Sequence, residues 1–314
     1  MTFSVCVSSF SSCFFLVAEF FEKMSKVKWE EVNRNWQFRT NVVLSMCIVP
    51  VEKETNDLAG SFVKTCPAHL DIISREGVVM SYSITPLLTG VRNPDQGIMT
   101  YQQGYGKRIW LPIWSFLVRG EGHTILIDTG LDENELFPPA GFTEETGLVP
   151  KTLRECLQLH GVEVNDVDIV INTHLHDDHC GNNSLFSSAK FYAHAKEIEF
   201  CRNPHPIDHR YDEYFIEDIV FHEITCDMEI VPGVKVIHSP GHTVGGLSVI
   251  VETVEGPVVI TGFCCNSRNF PDNGPAVCPG VHLDAIAAWE SIQKIKGLGV
   301  KIIPMHELHL SPIG

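Results

Sequence analysis

Six consecutive residues, His174-Leu175-His176-Asp177-Asp178-His179, carry three imidazoles and two carboxylates. Packing gives a chain no reason to place them so densely. Imidazole and carboxylate are the ligands of zinc and related divalent ions. Four candidates, His174, His176, Asp178 and His179, cannot all reach one ion comfortably, and two neighbouring ions account for the crowding. His242 in "SPGHT" and His306 in "PMHE" add imidazoles far along the chain. The chemistry such a set supports is hydrolysis, because bound metal lowers the pKa of water to roughly 7 and polarises a carbonyl. Neither GxSxG nor HExxH occurs, so a serine-nucleophile elbow and a zincin helix do not compete.

The elements that must hold these residues are legible around them. "DVDIVINTH" reads as a buried strand running into the cluster, and "VKVIHSPGHT" and "VKIIPMHE" as strands ending at His242 and His306. "VVMSYSITPLL", "LPIWSFLV", "HTILIDTG", "AKFYAH", "GLSVIVE" and "GPVVITG" complete the strand set. Three helices are expected. In "VPKTLRECLQLHG", Pro150 opens the helix, Leu153, Cys156, Leu157 and His160 share a face, and Gly161 closes it. "AKEIEFCR" is the second. "LDAIAAWESIQKIKGLG" is the third, capped by Asp284 or its neighbour and stopped by Gly297. Strands interspersed with helices indicate an α/β arrangement, with the site at strand ends along one sheet edge.

The totals are consistent with an enzyme acting on a small molecule. The chain has 314 residues, 44% of them hydrophobic, enough for a sizeable core. Its formal charge of −16 argues against nucleic acid and anionic membrane surfaces as partners. Eleven cysteines without a CxxC pair argue against a disulfide framework and fit a reducing, cytoplasmic setting. The apolar start "MTFSVCVSSFSSCFFLVAEFFEK" lacks an early basic residue and a small-residue cleavage site, which makes a poor signal peptide, and Met24 offers a second start. Residues 1–77 read as an N-terminal extension and residues 78–314 as the main domain.

The four elements together resemble the metallo-β-lactamase superfamily. "HLHDDH" resembles its HxHxDH motif, "ILIDTG" its early strand, and "SPGHT" and "PMHE" its later histidine elements, over about three quarters of the chain. The resemblance implies a four-layer αββα sandwich. It implies that His174, His176 and His242 hold one ion and Asp178, His179 and His306 a second, with Asp178 also catalytic. Asp128 would orient a ligand histidine. Zinc is the expected metal, one or two ions per chain, with iron or manganese as alternatives. "LPIWSFLVRGEGHTILIDTG" looks most like the N-acyl homoserine lactonase branch, which implies a quorum-quenching lactonase acting on a small-molecule lactone or ester. Two other readings stay open. One is a thioester hydrolase or mononuclear iron dioxygenase acting on sulfur compounds. The other is a non-catalytic metal- or ligand-binding protein with a degenerate site.

The resemblance fails at one point. The family carries a bridging Asp after the "TG" of the strand ending at Gly262, and here "TGFCCN" places Phe263 there. Cys264 or Cys265 could supply a bridging thiolate, the second ion could be loose, or Phe263 could close a pocket over a single ion. The tyrosine of that branch is also missing from this segment, leaving Tyr101 or Tyr105 to supply a phenol from another loop. His194 is a candidate for contact with a ligand.

Overall fold

The computed structural model describes residues 81–314. The boundary expected near residue 77, and with it the extension, lies outside the described residues. In chain order the elements are β1 (Ser83–Arg92), β2 (Leu111–Gly120), β3 (His123–Ile127), α1 (Phe142–Thr146), α2 (Leu153–Leu159), β4 (Ile169–Ile171), α3 (Asp177–Cys180), β5 (Lys190–His194) and α4 (Ala195–Arg202). Then follow β6 (Phe221–Ile224), β7 (Met228–Val231), β8 (Val234–His238), β9 (Leu247–Thr253), β10 (Gly256–Ile260), α5 (Ala285–Gly297) and β11 (Lys301–Ile303).

Two sheets form, ordered β1-β2-β3-β4-β5-β6 and β11-β10-β9-β8-β7. Strand periodicity explains how they stack. In β2 and β3, Phe116, Val118, Ile125 and Ile127 point one way and Leu117 and Leu126 the other. The first set meets Val234, Val236, Leu247, Val249, Val251, Val258 and Ile260 of the second sheet in one buried cluster. The second set meets Leu153, Cys156 and Leu157 of α2. On the far side of the second sheet, Ile237 and Val259 pack against Ile292 and Ile295 of α5. Helix, sheet, sheet, helix is the four-layer α/β sandwich expected.

Strand direction then decides where the motifs go. β3, β4 and β5 are mutually parallel. β8 and β10 are each antiparallel to β9, and β11 is parallel to β10, so β8, β10 and β11 run the same way. Asp128 follows β3, His174 to His179 follow β4, His242 follows β8 and His306 follows β11. Each motif therefore leaves the carboxyl end of its strand, where open α/β sheets build sites.

Two helix boundaries differ from expectation: the start of α2, and the end of α5, where Gly297 lies in the helix and Leu298 is the C-cap. Thr152, not Pro150, caps α2: its hydroxyl accepts from the Glu155 amide, and the Glu155 carboxylate accepts from the Thr152 amide. That reciprocal pair satisfies two helix-end donors, which a proline two residues earlier cannot do. His160 is exposed at the C-cap rather than on the buried face. Asp284 caps α5, accepting from the amides of Ile286 and Ala287. The short strands β6 and β7 were missed because each has only four residues, FHEI and MEIV, broken by charged or polar ones. Among the described residues no helix is long and apolar enough to cross a membrane.

Candidate metal centre

The folded chain gathers six side chains into two groups. His174, His176 and His242 bring one ligand atom each to within 4.8 Å of one another, and Asp178, His179 and His306 do the same. All six are buried. The groups adjoin: the His174 and His179 ring centres are 3.9 Å apart. α3 explains how neighbours in sequence serve different groups. His176 is its N-cap, with extended backbone, so His174 and His176 project from the loop. Asp178 and His179 lie inside the helical turn and join His306 in the other group.

Hydrogen bonds show whether these rings are prepared for metal. His242 Nδ1 donates to the Val281 carbonyl at 2.8 Å and His306 Nδ1 to the Pro112 carbonyl at 2.8 Å. His179 Nδ1 donates to Asp128 Oδ2 at 2.8 Å. The Thr173 hydroxyl donates to the same Asp128 oxygen at 2.7 Å, so it must accept from His174 Nδ1, 3.0 Å away. In all four rings Nε2 is thereby left as the lone pair. His174 Nε2 is buried with no hydrogen-bond partner, which is costly unless something absent from the protein occupies it. His176 is the exception: its Nε2 donates to Asp208 Oδ2 at 3.2 Å, which leaves Nδ1. Five imidazoles with the second nitrogen held by an acceptor, plus one carboxylate, fit divalent metal.

Burial makes the rings available at neutral pH. It pushes His176 and His306 down to about 4, and His174 and His242 well below the ordinary value, so all four are neutral. Burial pushes the Asp178 carboxyl up, but His179, Arg92 and His306 outweigh it and hold it ionised.

Asp128 sits where the resemblance put it and does more than expected. It is fully buried, with φ of 58°, a left-handed conformation that Asp tolerates better than most residues. Oδ1 accepts from the Thr173 amide at 2.7 Å, while Oδ2 serves His179 directly and His174 through Thr173. One carboxylate thus fixes a ring in each group.

Several supporting residues carry no sequence signal. Glu197, fully buried on α4, accepts from the Leu175 amide (3.1 Å), the Tyr211 hydroxyl (2.6 Å) and the Gly245 amide (2.8 Å). It ties the loop bearing His174 and His176 to the loop bearing His242, and the Tyr211 ring lies edge-on to His176 at 4.6 Å. Asp208, which holds His176, is gripped by Arg210 through Nε at 2.7 Å and an Nη2 contact at 2.6 Å. Asn182 reaches the Thr129 and Leu131 carbonyls, and its neighbour Asn183 bonds Thr129 and Asn172, bracing the turn after β3 against α3.

The "TGFCC" segment corrects one expectation. Phe263 does not face the ligands: its ring packs with Ile237, Val259, Ile292 and Ile295 on the α5 side. Gly262 cannot hold a larger residue, since a Cβ there would fall 1.6 Å from the Leu247 carbonyl oxygen. Cys264 turns toward the site but belongs to neither ligand group. Its thiol contacts Met99 sulfur at 3.2 Å among Leu111, Ile113 and Leu131, and burial raises its pKa. Cys265 is buried against the Thr261 hydroxyl at 3.1 Å. Tyr101 lies edge-on to His282 and Tyr105 is 69% exposed. His194 caps α4 and stacks on His238 at 4.2 Å, rather than touching a ligand histidine.

The geometry has counterparts among known proteins. The family profile of the Metallo-beta-lactamase superfamily matches residues 108–305. An N-acyl homoserine lactonase of Bacillus thuringiensis is 32% identical over 214 residues, 64% of this chain and 81% of that protein. One from Bacillus sp is 30% identical over 209 residues, with the same shares covered. The crystal structure of a quorum-quenching N-acyl homoserine lactone lactonase aligns with a TM-score of 0.60 at 25% identity, covering 73% of this chain and 93% of that one. Another, of an N-acyl homoserine lactone hydrolase with N-hexanoyl-L-homoserine at its catalytic metal centre, aligns with a TM-score of 0.58 at 25% identity, covering 73% and 94%. With the motifs on their strand ends and the profile spanning five of the six grouped residues, all but His306, the chain belongs to the metallo-β-lactamase superfamily, as a hydrolase resembling its N-acyl homoserine lactonase branch.

Proposed function

We propose that this protein opens a lactone ring, or cleaves a similar ester, with an N-acyl homoserine lactone-like substrate and zinc as its metal. The observation that carries the reading is the pair of adjoining buried ligand groups, with His174 of one 3.9 Å from His179 of the other. His174, His176 and His242 would hold one ion and Asp178, His179 and His306 the other. Bound there, divalent ions polarise a carbonyl and bring the pKa of water to about 7. Neither group contains a thiolate, and imidazole with carboxylate suits zinc.

The chain's own residues supply positioning and proton transfer. Asp128, Thr173, Asp208 and the Val281 and Pro112 carbonyls lock the five rings, so little reorganisation accompanies reaction. Asp178 is the sole carboxylate in either group and is held ionised. It takes a proton from the attacking water and delivers it to the alkoxide oxygen as the ring C–O bond breaks. The product is the ring-opened hydroxy acid.

The test is base consumption at constant pH by zinc-loaded protein given N-hexanoyl homoserine lactone, with an oxygen electrode in parallel. Acid release without oxygen uptake, abolished in a folded His176→Ala protein, is expected. Oxygen uptake by an iron-loaded form, or full hydrolysis by His176→Ala, would overturn the reading.

A further inference from the structure

Two arginines support the grouped residues without touching a reacting atom of the hydrolysis described above: Arg92 lies beside Asp178, and Arg210 holds the Asp208 that holds His176. Arg92 ends β1 and its Nη2 bonds Asp177 Oδ2 at 2.5 Å, while its Nη1 lies 3.9 Å from Asp178 Oδ2. Arg210 reaches Asp208 through Nε and Nη2, and Asp208 in turn holds the His176 ring. Their side chains are 35% and 28% exposed, so both lie at the rim of the site rather than within the core. Each is anchored by one aspartate. Neither Nη1 has a hydrogen-bond acceptor among the described residues.

A purely structural role explains the anchoring but not the placement. A guanidinium beside a metal-ligand carboxylate competes with the cation for that carboxylate. Asp128, Asp177, Asp178 and Asp208 offset two divalent ions. The two arginines then leave a loaded centre net positive, in a chain of formal charge −16. Glu135 is also felt at Arg92 but is exposed and screened. Fixed, half-desolvated guanidiniums with free N–H groups are what recognition of an oxyanion requires.

We infer that Arg92 and Arg210 form an oxyanion clamp, so that the preferred substrate carries a carboxylate or phosphate-type group a short spacer away from the scissile carbonyl. This rests on the lactone or ester reading above and narrows its substrate class. A substrate with a plain alkyl tail leaves both Nη1 groups unpaired.

The experiment compares three homoserine lactones on zinc-loaded protein. One has a hexanoyl tail, one a glutaryl tail ending in carboxylate, and one a tail of equal length ending in phosphonate. Wild type, Arg92→Lys and Arg92→Met are each checked for zinc content. Binding of the three ring-opened products is measured by calorimetry at low and high salt. The expected result is a preference in kcat/KM for an anionic tail. The ratio of anionic to hexanoyl should fall about 10–100-fold in Arg92→Met, the range of one charged hydrogen bond. KM should carry the change and Arg92→Lys should restore part of it. Whichever anion is favoured identifies the source of the charge. No anionic preference in wild type, or an equal loss on all three lactones in Arg92→Met, overturns the clamp. Should wild type open no lactone yet bind the two products with anionic tails more tightly than N-hexanoyl-homoserine, which carries only the carboxylate made by ring opening, and do so in an Arg92-dependent way, the clamp stands and the lactonase reading falls. Absence of both hydrolysis and binding overturns both.

Discussion

Asp128→Asn isolates what the shared carboxylate does. Asn is among the few residues that accept a φ of 58°, so the backbone there stays as it is. The substitution is nearly isosteric, yet an NH₂ must replace one oxygen. Placed at Oδ2, it faces two donors, His179 Nδ1–H and the Thr173 hydroxyl. Placed at Oδ1, it faces the Thr173 amide. Either way a buried donor meets a donor. The easiest relief is for His179 to move its proton to Nε2, which removes the lone pair offered to the second ligand group. Partners that orient a metal-bound histidine are worth 10–100-fold in metal affinity or activity, or about 1.4–2.8 kcal/mol. The effect should be uneven. His179 touches Asp128 directly, whereas His174 is reached only through Thr173, so the Asp178–His179–His306 group should weaken more. Competition against a chromophoric chelator, with metal counted per chain, reads both affinities. Two ions bound with wild-type affinity in Asp128→Asn would refute the reasoning.

Glu197→Ala should strip three hydrogen bonds from the loops of the first group, so bound metal falls toward one ion per chain; Glu197→Gln should retain more, and equal metal counts in both would show Glu197 to be dispensable. Phe263→Asp should lower stability by about 3–5 kcal/mol by putting a carboxylate into an apolar layer, with no gain in ion affinity; tighter metal binding in a titration would contradict the placement of that ring. Metal-free protein should lose stability on acidification. The unfolded chain takes up protons at the ordinary histidine value of 6.5 that the buried His176 and His306 refuse until about 4, so their contribution is lost from pH 6.5 down to about 4, and the depressed carboxyl of Asp178 carries the loss further below that. Thermal melts across that range measure it, and a flat profile would show the rings to be solvated.

The six residues of the two groups were legible in the chain because they are local or sit on local signals. Three histidines and Asp178 fall within six residues, and His242 and His306 follow recognisable strands, so the dense cluster and the strand ends located all six. The supports of the site were not legible. Glu197 and Asp208 look like any acidic residue of a helix or loop until the backbone brings Leu175, Gly245 and His176 to them, from 22, 48 and 32 residues away. Arg92 lies 85 residues from the Asp177 it meets. Phe263 and Cys264 lie just past the end of β10, where strand alternation no longer dictates which way a side chain points. Only packing between α5 and the second sheet turns Phe263 inward and leaves Cys264 beside the site. Covalent neighbours share an environment set by backbone periodicity. Side chains that meet across the fold share one only after the sheets have closed.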